Sequence, residues 1–167
     1  KVVWKEGADI PMALFWMGAF LPLAFMEEII FRGYSFIKLN KVVGLRLTQV
    51  IIAILFAYWH DVSGATFTGQ LMGPGIWALI FGIAAVWSDG LALPTGLHMA
   101  VNVVQAVLGM KENKYAIWVI DYKQEMTENM EAHTATMGLM RQIALLIVGI
   151  FRTEWYLRKK KVVTLNK

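Results

Sequence analysis

The sequence predicts an all-α fold, a polytopic transmembrane helical bundle of about five membrane helices. Hydrophobic residues make up 57% of the 167 residues and charged residues only 17%. A soluble domain of this size has too little interior to hide so much apolar surface, so a very apolar soluble protein is the weaker alternative. The apolar residues also form five long runs, which is typical of membrane spans.

The first two runs precede and follow a short basic stretch. The first extends from about Ile10 to Ile37 and is longer than the roughly 20 residues needed to cross a bilayer, so we expect it to tilt, bend or project. Pro22, about one turn before a pair of glutamates, is expected to kink it. The second run extends from about Leu45 to His60.

The remaining runs are shorter or interrupted. The third extends from about Leu71 to Trp87 and is broken at its start by Gly73-Pro74-Gly75. The fourth extends from about Leu91 to Met110, with Pro94 near its beginning. The fifth, from about Met137 to Phe151, contains Arg141 and Gln142. We expect neighbouring helices to shelter the third and fifth runs.

The charges between the runs predict the orientation of the chain. Five crossings place Lys38, Lys41 and Arg46 on the same side as the basic tail at 152–167. The other side holds the N-terminus and the extramembrane or interfacial connection at 111–136, in which acidic residues outnumber lysines. Because positive charge favours the cytoplasmic side, we expect the C-terminus to be cytoplasmic. Residues 115–122 either lie along the membrane surface or form an ordinary loop.

Composition excludes several classes of site. The chain contains no cysteine, so disulfides and thiolate metal sites are absent. Its net charge of +4 is better explained by membrane-protein loops than by nucleic acid, so we expect the lipid bilayer and no nucleic acid as partners. The chain begins with Lys1 rather than Met, and we expect one membrane-embedded domain over residues 1–167 that is an N-terminally truncated piece of a longer protein.

The first of three polar clusters inside the apolar runs contains two carboxylates and a guanidinium. In a helix, Glu28 and Arg32 are four residues apart and share a face, so they can pair. Glu27 is rotated by about 100° and is expected to point elsewhere, toward another helix. A free carboxylate there suits a general base, although a structural ion-pair network is an alternative reading.

The other two clusters supply imidazoles and an amide. His60 ends the second run, with Phe56 one turn before it on the same face. His98 and Asn102 are four residues apart in the fourth run, so both can donate hydrogen bonds toward one point, as an oxyanion hole requires. Each cluster alone is explained as well by an interfacial histidine or an interhelical contact. Three clusters on separate spans favour one shared functional site.

In this order, the motifs EExxxR, FxxxH and HxxxN in successive membrane helices resemble the CPBP family. This family comprises CAAX proteases and bacteriocin-processing enzymes and is also called the Abi or Rce1-like family. Phe31-Arg32-Gly33-Tyr34 continues the first motif as in many family members. The resemblance spans roughly Leu21 to Leu108, so we expect a catalytic core at about 21–110. Family members usually have further spans before the first motif, and here at most one partial span precedes it.

The resemblance implies an intramembrane endopeptidase in a bacterial or archaeal cell membrane, acting on a CAAX-type or bacteriocin-like peptide at the membrane. The implied catalytic residues are Glu27 as general base, His60 as its partner in activating water, and His98 with Asn102 as the oxyanion hole. The implied supporting residues are Glu28, Arg32 and Phe56. Neither the substrate nor the oligomeric state can be read from the sequence.

Two alternatives stay open. Zn²⁺ is the competing chemistry, because Glu27, His60 and His98 are suitable ligands with water in the fourth position. The usual HExxH spacing is absent and no supporting carboxylate is evident for either histidine, so we favour a mechanism without a cofactor. The second alternative is a non-catalytic membrane scaffold or bacteriocin self-immunity protein. A transporter component ranks last. Its charges would line a path between both membrane faces, whereas the polar residues of this chain are expected to converge on one place.

Overall fold

The computed structural model of the chain describes residues 1–60, 66–110, 116–120 and 128–165. These residues form a helical bundle with one small sheet, which confirms the predicted fold class. In chain order the elements are β1 (Val2–Trp4), α1 (Ile10–Arg32), α2 (Tyr34–Trp59), α3 (Phe67–Gln70), a π-helical turn (Leu71–Gly75), α4 (Ile76–Ser88), α5 (Ala92–Val107), β2 (Trp118–Ile120) and α6 (Glu128–Leu165).

Three helical stretches among the described residues are long and apolar enough to cross a membrane. They are Ile10–Trp59, Phe67–Ser88 and Thr136–Lys159, and the first contains both α1 and α2. Helix α5 coincides with the fourth predicted run but has 16 residues, roughly 24 Å of helix, which is short for an independent span. The five predicted runs are therefore all helical, although they do not form five equal crossings.

The first predicted run is divided at Gly33. Asp9 caps α1 at its start, where its Oδ1 accepts a hydrogen bond from the Met12 amide at 2.9 Å. At the other end, the Gly33 amide bonds to the carbonyl oxygens of Glu28 and Ile29, each at 3.1 Å. Pro22, predicted to kink the run, lies inside α1, and the interruption comes one residue after Arg32. Arg32 is thus a buried residue at the last turn of α1.

A second interruption kinks the chain at Gly44. This residue has φ of 77° and ψ of 166° inside α2, a left-handed conformation that glycine adopts without a steric penalty. It separates Tyr34–Val43 from Leu45–Trp59, and the second part coincides with the second predicted run. The later part of α2 ends beside the candidate site, since His60 follows directly after Trp59.

The core lies between α1, α2, α4 and α5, which pack against one another. Its largest buried side chains are aromatic and aliphatic: Phe31, Phe36, Ile52, Phe56 and Phe81. Alanines of α4, such as Ala78, let the helices approach closely, as small residues do in membrane bundles. Many large apolar side chains on the outer faces are exposed, which fits a surface that faces lipid.

Helix α6 packs along α4 and begins inside the region predicted as a connection. It starts at Glu128 and continues through most of the predicted basic tail, whereas residues 111–115, 121–127 and 166–167 lie outside the described residues. Arg46 of α2 forms a bidentate ion pair with Glu154 of α6, with N–O distances of 2.5 and 2.7 Å. This pair joins the part of α2 that follows Gly44 to α6.

The small sheet was not predicted. Strands β1 and β2 pair antiparallel, with Val3 opposite Val119 and Trp4 opposite Trp118. The two tryptophan rings meet edge to face, with centroids 5.8 Å apart. Strand β2 lies within residues 115–122, the stretch for which a surface segment and a loop were both considered. Strands of three residues are too short for an alternating pattern to be recognised.

Candidate active site

The end of α1 carries a buried ion pair. Arg32 donates from Nη1 to Glu28 Oε1 at 3.1 Å, the pair that the four-residue spacing predicts. Arg32 also donates from Nη2 to the backbone carbonyl oxygen of Ala78 at 3.1 Å. Both charged side chains are buried. Because α4 supplies the carbonyl, Arg32 fixes the end of α1 against α4 while it neutralises Glu28.

His98 lies between the two glutamates. Its Nδ1 is 2.9 Å from Glu28 Oε1, and its Nε2 is 3.5 Å from Glu27 Oε2. The prediction that Glu27 and Glu28 point in different directions is correct for the backbone, but their flexible side chains meet one imidazole from two sides. The contact joins α1 to α5 across 70 positions of sequence.

The two carboxylates differ in exposure. The side chain of Glu28 is 0% exposed, whereas that of Glu27 is 26% exposed. Glu28 Oε1 contacts both Arg32 and His98. Glu27 is the more accessible of the two carboxylates, and accessibility is a requirement for a general base.

The contacts of His98 define where its protons lie. An ionised carboxylate only accepts hydrogen bonds, so Nδ1 beside Glu28 must carry a hydrogen. In the neutral ring, Nε2 then presents a lone pair toward Glu27. Nε2 and Glu27 Oε2, 3.5 Å apart, are within ion-pair distance, whereas the shorter contact of Nδ1 with Glu28 is a hydrogen bond. Glu27 and His98 therefore form a carboxylate–imidazole pair in which Nε2 faces Oε2.

An aromatic wall encloses this pair. The Phe81 ring stacks on His98 with centroids 4.8 Å apart and an angle of 19°, and Phe56 meets His98 at 5.7 Å. The Arg32 guanidinium lies 4.5 Å from the Phe56 ring centre. Phe56 was predicted as a supporting residue. Phe81 was not, because an apolar residue in an apolar helix carries no sequence signal.

His60 reaches the site through Phe56. Its Nδ1 lies 2.8 Å from the Phe56 carbonyl oxygen, and its ring centre is 4.5 Å from that of Phe56. The Phe56 ring thus contacts both histidines. Asn102 follows His98 by one turn on α5 and is partly buried. The structure thus brings Glu27, Glu28, Arg32, Phe56 and His98 into contact with one another, while His60 joins this group only through Phe56 and Asn102 is placed only by its position on α5.

Several buried polar atoms near His98 make no hydrogen bond within the described part of the chain. They are Glu27 Oε2, Glu28 Oε2, Arg32 Nε and Thr95 Oγ1, and atoms of the same kind also lie elsewhere, such as Thr48 Oγ1 and Gln49 Oε1 of α2. Thr95 precedes His98 by about one turn on α5 and was missed in the sequence. Buried polar atoms in folded proteins almost always have partners, so the four atoms near His98 are places where a water molecule or another polar group would bind.

A metal ion fits the donor set poorly. Within the described ranges, no three His, Asp or Glu side chains are grouped closely enough to hold a metal. The expectation that no carboxylate supports either histidine is nevertheless wrong for His98, since Glu28 contacts its Nδ1, whereas His60 Nδ1 contacts the Phe56 carbonyl oxygen. The support for each ring is present, but Glu27, His60 and His98 do not form a three-ligand site.

Comparison with known proteins agrees with this geometry. Residues 9–104 match the family described as type II CAAX prenyl endopeptidase Rce1-like. The membrane-embedded CAAX protease MroQ of Staphylococcus aureus (strain USA300) is 31% identical over 99 residues, which cover 56% of this chain and 37% of that protein. The match thus spans little more than a third of the relative's length. No solved structure matches the chain.

The family match covers more than half of the chain and contains the buried contacts from Glu27 to His98. The apolar helices that surround these contacts make the chain an integral membrane protein. The chain belongs to the Rce1-like family of type II CAAX prenyl endopeptidases.

Proposed function

We propose that this chain is the catalytic core of an intramembrane endopeptidase that hydrolyses a peptide bond with a water molecule activated by Glu27. The observation that carries the proposal is the position of His98 between an accessible and an inaccessible carboxylate. Such a division separates the group that reacts from the group that holds its partner in place.

In the first step, water approaches the accessible side of Glu27. The carboxylate accepts one proton, with His60 assisting, and the resulting hydroxide attacks the carbonyl carbon of the substrate. Serine and cysteine are absent from the three polar clusters, so the proposal contains no covalent intermediate. The aromatic wall excludes bulk water and strengthens each electrostatic contact inside.

In the second step, His98 and Asn102 stabilise the oxyanion of the tetrahedral intermediate. In this proposal the His98 ring is doubly protonated throughout, so Nε2 donates to the oxyanion while Nδ1 donates to Glu28, and the proton that Glu27 carries is the one taken from water. Glu27 then returns its proton to the departing amine, and the C–N bond breaks. Hydrogen-bond donors of this kind are worth about 3–4 kcal/mol of barrier each in other hydrolases.

Glu28 and Arg32 hold the carboxylate–imidazole pair in this proposal. Glu28 keeps the His98 ring in the Nδ1–H form, as the aspartate of a catalytic triad does for its histidine. Arg32 pairs with Glu28 and, through the Ala78 carbonyl, joins it to α4. A metal has no role in any of these steps.

We propose a CAAX-type peptide at the membrane as the substrate, since both the family description and the relative's name specify this class. We also propose a bacterial cell membrane as the location, with the C-terminus cytoplasmic. Lys38, Lys41 and Arg46 support this orientation because they lie near the same end of the bundle as Glu154 and the end of α6.

The test is cleavage of a prenylated CAAX peptide by the purified protein in detergent or nanodiscs. Glu27→Gln should abolish cleavage without lowering thermal stability, while Glu6→Gln, an exposed carboxylate near the N-terminus, should leave the rate unchanged. Activity should survive chelators. Cleavage at the wild-type rate by Glu27→Gln would overturn the proposal, and substrate binding without cleavage by the wild type would favour the scaffold or immunity alternative.

A further inference from the structure

The rings of Trp77, Phe81 and His98 form a continuous stack with His98 at one end. Trp77 and Phe81 are four residues apart on α4, and their rings stack with centroids 5.9 Å apart and an angle of 25°. Phe81 in turn stacks on His98 at 4.8 Å and 19°. Most other aromatic contacts in this core are edge to face, such as Phe31 with Phe56 at 78°. The near-parallel arrangement therefore distinguishes the rings that lead to His98.

The stack restrains a torsion that is otherwise soft. The last side-chain torsion of histidine joins an sp³ to an sp² carbon and has a broad energy profile. Both nitrogens lie in the ring plane, so any rotation about this torsion moves Nδ1 and Nε2 together. Glu28 restrains only Nδ1. A flat surface against the ring face restrains the plane itself.

We infer that Phe81, supported by Trp77, is a positioning residue that holds the imidazole plane so that Nδ1 faces Glu28 and Nε2 faces Glu27. The catalytic consequence rests on the proposed function. The orientation of the His98 ring by Phe81 does not depend on the proposed function. Phe81 also lies 5.4 Å from the Arg32 guanidinium, so its ring is shared by both partners of Glu28.

Two substitutions at position 81 separate positioning from packing. Phe81→Leu fills most of the space but supplies no ring face, whereas Phe81→Tyr keeps the ring. Phe20→Leu is the matched control, because Phe20 is a buried aromatic residue of α1 in a second core cluster. All three variants are checked for thermal stability in detergent before any other comparison.

In the cleavage assay, Phe81→Leu should lower kcat by about tenfold or more with little change in KM, because misplacing a catalytic group by 1 Å can cost up to about a hundredfold in rate. Phe81→Tyr should retain most of the wild-type kcat, and Phe20→Leu should retain it fully. An equal loss of kcat in Phe81→Leu and Phe20→Leu, or no loss in either, would overturn the inference.

A second readout does not depend on activity. The chain has three histidines, His60, His98 and His133, so ¹⁵N spectra of the imidazoles are simple, and a His98→Gln variant assigns the His98 signals. In the wild type we expect one set of His98 signals, with Nδ1 protonated. Phe81→Leu should give averaged or doubled signals, and Phe20→Leu should not. Unchanged His98 signals in Phe81→Leu overturn the inference.

The two readouts distinguish the possible failures. If the wild type cleaves no CAAX peptide, the proposed function fails and the imidazole spectra alone decide on positioning. If Phe81→Leu does not fold, Trp77→Leu takes its place, because it removes the outer ring of the stack and leaves Phe81 in contact with His98. That variant should broaden the His98 signals, and an unchanged spectrum would overturn the inference.

Discussion

Arg32 donates a hydrogen bond to the backbone carbonyl oxygen of Ala78, and the same guanidinium neutralises Glu28. One buried side chain therefore joins the last turn of α1, the first turn of α4 and, through Glu28, His98 on α5. A cation with a single point of charge cannot serve both acceptors in the same way, because only arginine has a planar fork of donors.

We predict that Arg32→Ala lowers the free energy of unfolding by about 3–5 kcal/mol, since removing one partner of a buried pair leaves the other charge uncompensated. Arg32→Lys should recover part of this loss, because it restores charge without the second hydrogen bond. Thermal unfolding in detergent measures both. Equal stability of Arg32→Ala and the wild type would show that the pair contributes nothing to the fold.

A second prediction concerns Glu28→Gln. The amide oxygen can still accept from His98 Nδ1, but the hydrogen bond then has an uncharged acceptor. Hydrogen bonds to charged groups contribute about 1.5–3 kcal/mol, so we expect kcat to fall by about ten- to a hundredfold. Glu27→Gln should remove activity altogether. If the two variants kept equal activity, the assignment of separate roles to the two glutamates would be wrong.

A third prediction uses glycine in α4. The side-chain carbonyl of Gln49 lies against Gly82, where a Cβ would overlap it, and Gln49 Nε2 also donates to the Leu79 carbonyl at 3.2 Å. Gly82→Ala should therefore separate α2 from α4 and destabilise the protein by about 1–3 kcal/mol.

Gly18→Ala is the control for this substitution. Nothing lies within 4 Å of a Cβ at Gly18, so alanine there should stabilise α1 by about 0.4–1 kcal/mol. Thermal unfolding of the two variants should move in opposite directions. A shift of the same sign in both would contradict the packing described for Gln49 and Gly82.

A fourth prediction tests orientation, and the absence of cysteine makes it simple. Glu6→Cys and Lys41→Cys each introduce one exposed thiol into the chain. With a membrane-impermeant maleimide on intact cells, we expect labelling at position 6 and, at position 41, labelling only after permeabilisation. The reverse pattern would place the C-terminus outside.

The helices and the reactive residue types could be predicted because both depend on residues that are close together in the sequence. The apolar runs gave the helices, and the spacing of Glu28 and Arg32 gave their ion pair. The break at Gly33 was missed because apolar residues continue beyond it to Ile37. The contacts of His98 with Glu28 and Phe81 were missed because the distance between helices depends on packing, which spacing within one helix does not encode.

The β1–β2 sheet helps to fix the position of α5 relative to α1, and with it the geometry of the candidate site. The Lys5 amide bonds to the Ile117 carbonyl at 2.9 Å, and the Ile117 amide bonds to the Val107 carbonyl at 3.1 Å, so the strands splint the start of α1 to the finish of α5. Sliding α5 lengthwise by a single turn, about 5.4 Å, would carry His98 out of reach of both glutamates. The β1–β2 sheet opposes this shift where α1 begins and α5 ends. The contacts of His98 with the two glutamates oppose it farther along the helices, so α1 and α5 are held in register at two points.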